Sequence, residues 1–192
     1  MTRDVAGKRE VIMKTALKLF TERGFHGTPT SMISEQAGVA TGTLFRYFPT
    51  KEELINNIYF DVKEKWGKSI SEGINREDTI KEKIQRAWAN SIRWGISCPD
   101  EFLFIEQFSS SPYITKITQE EAMKNYLFLF EIFQEGTKNG ILKDLDMRMT
   151  VNMLAHAGKS VIRLILDSSG SADADKLVDE SFELIWGGIS KK

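Results

Sequence analysis

Cysteine occurs once in the 192 residues, at Cys98, so no intrachain disulfide is available and packing has to supply the stability. Such a chain is ordinarily kept in a reducing compartment, and the cytoplasm is its expected location. Proline is nearly as scarce. Pro29, Pro49, Pro99 and Pro112 all fall between long periodic segments rather than inside them. Because proline breaks a helix interior, this placement predicts an all-α chain. Long apolar runs are missing as well: the most hydrophobic uninterrupted stretch, Tyr126 to Phe130, is far short of the roughly 20 residues that cross a bilayer. Met1-Thr2-Arg3-Asp4 leads directly into a charged amphipathic segment, so neither a secretion signal nor a membrane partner is expected.

Catalytic chemistry is thinly represented. The two histidines, His26 and His156, lie far apart in the chain, and no zinc spacing, Gly-rich phosphate loop or nucleophile elbow is present. No metal, cofactor or catalytic residue is expected. An enzyme would have to rely on an isolated acid such as Glu106, and a lone carboxylate is more often solvated or salt-bridged.

What is present is a chain with 41% apolar and 28% charged residues, long enough to bury roughly 70% of the surface its unfolded form exposes. Its charges are segregated. Residues 1–51 carry eight Lys/Arg (Arg3, Lys8, Arg9, Lys14, Lys18, Arg23, Arg46, Lys51) against four acids, a balance of +4, while the rest carries 18 against 23, a balance of -5. A basic head on an acidic body suits a head that meets phosphates, and a solvated helix face produces the same imbalance.

Helical periodicity divides the chain. Ile12, Ala16, Leu19 and Phe20 place one face on a helix from Lys8 to Arg23, which Gly24 ends. Thr28-Pro29 reads as a cap and first position of a short helix that stops at Gly38, and a second short helix covers roughly Thr41 to Phe48. Thr50 caps a long helix carrying Leu54, Ile58, Val62, Trp66 and Ile70 at intervals of four. Further helices are expected from an Asp78 cap to Pro99, from Asp100 to about Phe108, and from a Thr118/Glu121 capping box to Lys138. The last two run from Asp146 to about Leu166 and from Ala172 to Ile189.

Two short helices joined at Gly38-Val39-Ala40 and crossed by a third are the parts of a helix-turn-helix. Ile33 and Ala37 facing Val39, Leu44 and Phe48 would fix the interhelical angle. That leaves Thr41, Gly42, Thr43, Phe45, Arg46 and Tyr47 exposed, a surface without a carboxylate and therefore able to enter a groove between phosphates.

Residues Glu10 to Tyr59, above all Ala16-Leu17-Lys18-Leu19-Phe20-Thr21-Glu22-Arg23-Gly24-Phe25 and Ala37 through Glu52, resemble the DNA-binding domain of the tetracycline-repressor (TetR) family. The resemblance implies a helix-turn-helix DNA-binding domain at 1–52 and a helical ligand-binding and dimerisation domain at 53–192. It also implies a homodimeric regulator that binds a palindromic double-stranded DNA operator and releases it when a small effector binds. It puts Thr28 at the cap of the first short helix and Ser31 on its DNA-facing side. Thr41, Gly42, Thr43, Phe45 and Tyr47 become the groove-facing set, and Lys51 a phosphate contact. Ala40, Thr41 and Phe45 stand where the family usually has serine, lysine and tyrosine, which shifts weight onto Lys51, Arg46, Tyr47, Arg3 and Lys8.

Past residue 60 the match is to architecture. Residues 102 to 133 hold eight of the chain's aromatics, against twelve in the other 160 residues. Phe102, Phe108, Tyr126 and Phe130, with Trp66, Trp88, Trp94 and Met153, would form a wall for an apolar or aromatic effector oriented by a polar group such as His156, unless they simply fill a core. The apolar faces of the last two helices, including Ala157, Gly158, Val161, Ile165, Phe182, Ile185, Trp186 and Ile189, suit a four-helix bundle between subunits. Repression is what the family implies. An activator of the same fold, or a helical carrier or enzyme with a non-functional head, stays as the alternative.

Overall fold

The computed structural model describes residues 2–168 and 173–191, with side chains from residue 7 onward. Ala172 and the Arg3 side chain, both invoked above, lie outside the described residues. Ten α-helices are formed among them: α1 (Thr2–Arg23), α2 (Thr30–Gln36), α3 (Thr41–Tyr47), α4 (Lys51–Ser71), α5 (Ile80–Ser97), α6 (Pro99–Phe108), α7 (Lys116–Met123), α8 (Leu127–Lys138), α9 (Met147–Asp167) and α10 (Ala174–Ile189). No strand occurs among the described residues; an isolated antiparallel bridge joins Leu142 to Ser190. None of the described helices is long and apolar enough to cross a membrane.

Helix ends follow local chemistry, with some shifts from the sequence reading. Thr50 caps α4 as expected, its hydroxyl accepting from Glu53 N at 3.0 Å, and Asp146 caps α9 through Met149 N at 2.7 Å. The cap of α5 is Thr79 rather than Asp78. It forms a reciprocal capping box with Glu82, while Asp78 accepts a bond from Asn75 N in the preceding turn. Those bonds from Thr79 hold the Glu82 carboxyl below its ordinary range. The capping box expected at Thr118 and Glu121 does not form either: Thr115 accepts from Thr118 N at 3.1 Å, one turn earlier. The single helix expected to reach Lys138 is two, separated by a 3₁₀ turn at Lys124–Tyr126. Asp173 caps α10 through Lys176 N.

The chain divides into two compact units, one comprising residues up to Lys63 together with Asp100–Ala122, the other Glu64–Pro99 together with residues from Met123 onward. In the first, Ile12, Ala16, Phe20, Ile33, Leu44 and Leu54 are completely buried, and Phe108 stands edge-on to Phe20 with ring centroids 6.3 Å apart. In the second, α5 is the central helix and packs against α8, α9 and α10. Its buried positions Ile80, Ile84, Ala87, Trp88, Ile92 and Gly95 recur at three and four.

The contact between α5 and α9 depends on Gly95. A Cβ there would stand 2.5 Å from Ile162 Cδ1, 3.0 Å from Cγ1 and 3.1 Å from Cγ2, so no rotation of a single methyl relieves the clash. Gly95→Ala is expected to lower unfolding free energy by about 1–3 kcal/mol in urea titration. Ile162→Ala should mask that loss in the double variant, and additive losses would mean that the helices do not meet here.

Candidate nucleic-acid interface

The first unit brings α2 and α3 together around one bend. Gly38 takes φ 65°, a left-handed conformation that costs other residues, and Val39 N donates to Ser34 O at 2.9 Å, closing the turn. Ile33 and Leu44, both completely buried, hold the facing sides of the two helices, as the spacing predicted. Ala40 precedes α3 without a side-chain cap. A substitute contact is present nearby: the Ser34 hydroxyl donates to Ser31 O at 2.9 Å and lies 3.0 Å from the Thr41 hydroxyl.

With Leu44 inward, α3 turns Thr41, Gly42, Phe45 and Arg46 outward and leaves Thr43 and Tyr47 half-buried. Nothing lies within 4 Å of a Cβ built on Gly42, so that backbone is open to a close approach. Phe45 is 42% exposed, an apolar cost in water that a groove-facing role would recover. The Arg46 guanidinium sits 5.6 Å over the Tyr47 ring, which limits where either side chain can point. Ser31 is exposed on α2. No carboxylate occurs on α3.

Thr28 departs from its expected role. Pro29 is the residue preceding α2, and Thr28 is completely buried, its hydroxyl directed at Leu19 O (3.0 Å) and Gly24 O (2.9 Å). The hydroxyl is taken up by carbonyl groups in the last turns of α1 and just past its end instead of by the amides of α2. Thr28 therefore ties α1 to the loop, with its side chain turned into the interior.

Lys51 opens α4, with Nζ 4.2 Å from the centroid of Phe25. Burial lowers its pKa, and the neighbouring Glu52 carboxylate offsets part of that effect. Arg9, not singled out from sequence, ties α1 to α4 and to the residue after α3: it donates to Asn57 Oδ1 at 2.8 Å and lies 5.3 Å over the Phe48 ring. Only its one-in-eight share of the basic head marked it beforehand, because the partners are remote in sequence.

The residues expected to line an effector site are divided between the two units. Phe102 and Phe108 belong to the first unit and are buried there, Phe108 against Phe20 and Phe104. In the second unit Trp66, Trp94 and Tyr126 do cluster: Trp66 stacks on Trp94 at 5.9 Å and meets Tyr126 edge-on at 5.5 Å. Trp88 is buried, bonded through Nε1 to Ser181 Oγ at 3.0 Å, and Phe130 is half-buried. Met153 and His156 are exposed on α9, outside the ring cluster.

The expected dimer residues also divide. Gly158, Ile165, Phe182 and Ile189 are buried within one chain, Gly158 directly against Trp88. Ala157, Val161, Ile185 and Trp186 are half-buried. The outward apolar side chains are others: Met149, Met153, Leu164 and Leu184, the last 80% exposed. Sequence spacing alone cannot say which of two apolar stripes on one helix faces home.

Replacing Tyr47 by Ala should change which base pairs a bound duplex is selected for, measured by competition among variant oligonucleotides. Thr28→Val should leave that preference intact and instead lower the unfolding free energy by about 1 kcal/mol, the usual net worth of a hydrogen bond. The reverse pattern would mean that the two residues have been assigned to the wrong faces.

Residues 12–58 match the family model of bacterial regulatory proteins of the tetR family. A fatty acid metabolism regulator protein of Bacillus subtilis is 29% identical over 189 residues, covering 94% of this chain and 95% of that protein. The crystal structure of a tetR-family transcription regulator from a Shewanella species superposes with a TM-score of 0.88 at 28% identity, over 96% of this chain and 99% of that one. The Bacillus subtilis regulator FadR, solved in complex with stearoyl-CoA, shares the fold, with a TM-score of 0.77 at 24% identity over 94% and 98% of the two chains. A head built around the Gly38 bend, a matching helical body and relatives that span nearly the whole length lead to one conclusion: residues 12–58 form a DNA-binding domain of the tetR type, and the chain is a DNA-binding transcriptional regulator similar to members of that family over nearly its whole length.

Proposed function

We propose that this chain is a repressor acting in the cytoplasm as a homodimer, which binds a palindromic operator and leaves it when a fatty-acid-derived effector binds. The observation that carries the reading is the outward, acid-free surface of α3 within a basic head. In this assignment residues 1–52 read DNA and 53–192 bind effector and dimerise. Ser31, Thr41, Gly42, Thr43, Phe45 and Tyr47 face the groove, while Arg46 and Lys51 meet phosphates.

The effector class is supported by chemistry and by kinship. Trp66, Trp94 and Tyr126 form a cluster of rings with the apolar character that a long acyl chain would need, and the half-buried Phe130 lies in the same unit. The Bacillus subtilis relative is named for fatty acid metabolism. An effector removes a dimer from DNA only by favouring a head separation that misses half-sites about 34–36 Å apart. Helix α4, continuous from Lys51 to Ser71, is covalently part of both units and is the element through which we route that change.

For dimerisation, Met149, Met153 and Leu164 fall within one side of α9 at helical spacing, and Leu184 stands outward on α10. Two copies of this pair form a four-helix bundle, with Ala157, Val161, Ile185 and Trp186 at its margins. A charge there would be desolvated in the dimer and solvated in the monomer.

Saturating stearoyl-CoA, or free stearate in a parallel titration, is expected to weaken operator binding roughly 5–150-fold by fluorescence anisotropy. Trp66→Ala should blunt the response. A ligand that binds yet leaves DNA affinity unchanged contradicts the release mechanism, and failure of both to bind contradicts the effector class. Leu164→Glu combined with Leu184→Glu should sediment as a monomer and lose operator affinity; a persistent dimer would place the interface elsewhere.

A further inference from the structure

The lysine assigned above to a phosphate is seated on an aromatic ring that is itself held from a distant part of the chain. Phe25, on which Lys51 Nζ lies at 4.2 Å, is stacked against Tyr113 with centroids 3.9 Å apart and planes 15° from parallel. The Tyr113 hydroxyl is 2.6 Å from His26 Nε2. The segment carrying Tyr113, between α6 and α7, is fastened to α4 by one side chain: Asn56 donates to Tyr113 O at 2.8 Å and accepts from Thr115 N at 2.9 Å. A further link comes from Tyr59, whose hydroxyl is hydrogen-bonded to Ser109, although burial pushes its pKa up overall. All of these residues lie in the same compact unit as α3.

We propose that Tyr113 is a positioning residue for DNA binding: through the Phe25 ring it holds the Lys51 ammonium at the start of α4 in place for a backbone phosphate. The inference rests on the assignment of Lys51 to phosphate made above. Its physical basis is preorganisation. A lysine side chain loses much of its rotamer freedom when it engages an anion, and an ammonium already resting on an aromatic face has lost part of it beforehand. The lowered pKa of Lys51 is consistent with a partly desolvated ammonium, whose hydration has less to give up when a phosphate arrives. The two hydrogen bonds from Asn56 fix the backbone of residues 113–115, and the ring of Tyr113 is held in turn by its hydroxyl contact with His26 and its stack on Phe25.

The test is the salt dependence of binding to a fluorescein-labelled random-sequence duplex, which reports how many phosphates the protein neutralises. Lys51→Ala should reduce the slope of log affinity against log salt by about one. Tyr113→Ala should weaken binding roughly two- to fivefold for all sequences alike and shift the slope toward that of Lys51→Ala. Once Lys51 is already Ala, adding Tyr113→Ala should cost nothing further. Tyr113→Phe, which keeps the ring and loses the His26 bond, should restore the wild-type slope. Phe25→Leu keeps apolar volume without an aromatic face and should reproduce the Tyr113→Ala slope, which guards against a folding defect in that variant. An unchanged slope in both Tyr113→Ala and Phe25→Leu, or additive losses in the double variant, overturns the proposal. An unchanged slope in Lys51→Ala overturns the phosphate assignment beneath it.

Discussion

The bend at Gly38 decides which face of α3 meets solvent, and most of what the first unit can do follows from that choice. Ile33 and Leu44 are both completely buried on either side of it, so the two short helices share one apolar contact and one angle. Neither helix, at seven residues each, would persist alone in water. Their stability is tertiary: α1 supplies Ile12, Ala16 and Phe20 beneath them, Thr28 ties the loop back to the carbonyl end of α1, and Arg9 spans from α1 to Asn57. A rigid α3 without carboxylates is the outcome, presented by a scaffold that leaves its backbone at Gly42 open.

The second unit follows a different logic. Here α5 is surrounded, and close approach is obtained by small residues facing large ones: Gly95 against Ile162, Gly158 against Trp88, Gly136 against Leu142. The buried Lys83 is paired with Glu135 at 3.7 Å, and Trp88 spends its one donor on Ser181. Once these internal requirements are met, Met149, Met153, Leu164 and Leu184 are left outward. These outward apolar side chains are what the proposed homodimer would bury.

Much of this was legible in the order of residues. The periodicity of α1, α4, α5 and α9, the caps at Thr50 and Asp146, and the helix-turn-helix with its acid-free face all rest on local rules, and local rules are what a sequence displays. The misreadings share one cause. Thr28 has the chemistry of a cap and a proline after it, yet carbonyl groups nine and four residues back claim its hydroxyl. Thr115 and Thr79 took the capping positions assigned to Thr118 and Asp78, one residue or one turn away. Phe102 and Phe108 are near Tyr126 in the chain, yet α6 belongs to the first compact unit and Tyr126 to the second. The stack of Tyr113 on Phe25 joins residues far apart in sequence, and composition alone has no means of pairing them.

The orientation of α3 is tested most directly by letting the purified full-length protein select from a pool of random duplexes at low ionic strength and sequencing what is retained. Enrichment of an inverted repeat, with half-sites one helical turn or a multiple of it apart, is the predicted result. Loss of that enrichment when Tyr47 and Thr43 are both replaced by Ala would tie it to this helix. A retained pool as diverse as the input would contradict the reading of α3 as the surface that recognises DNA.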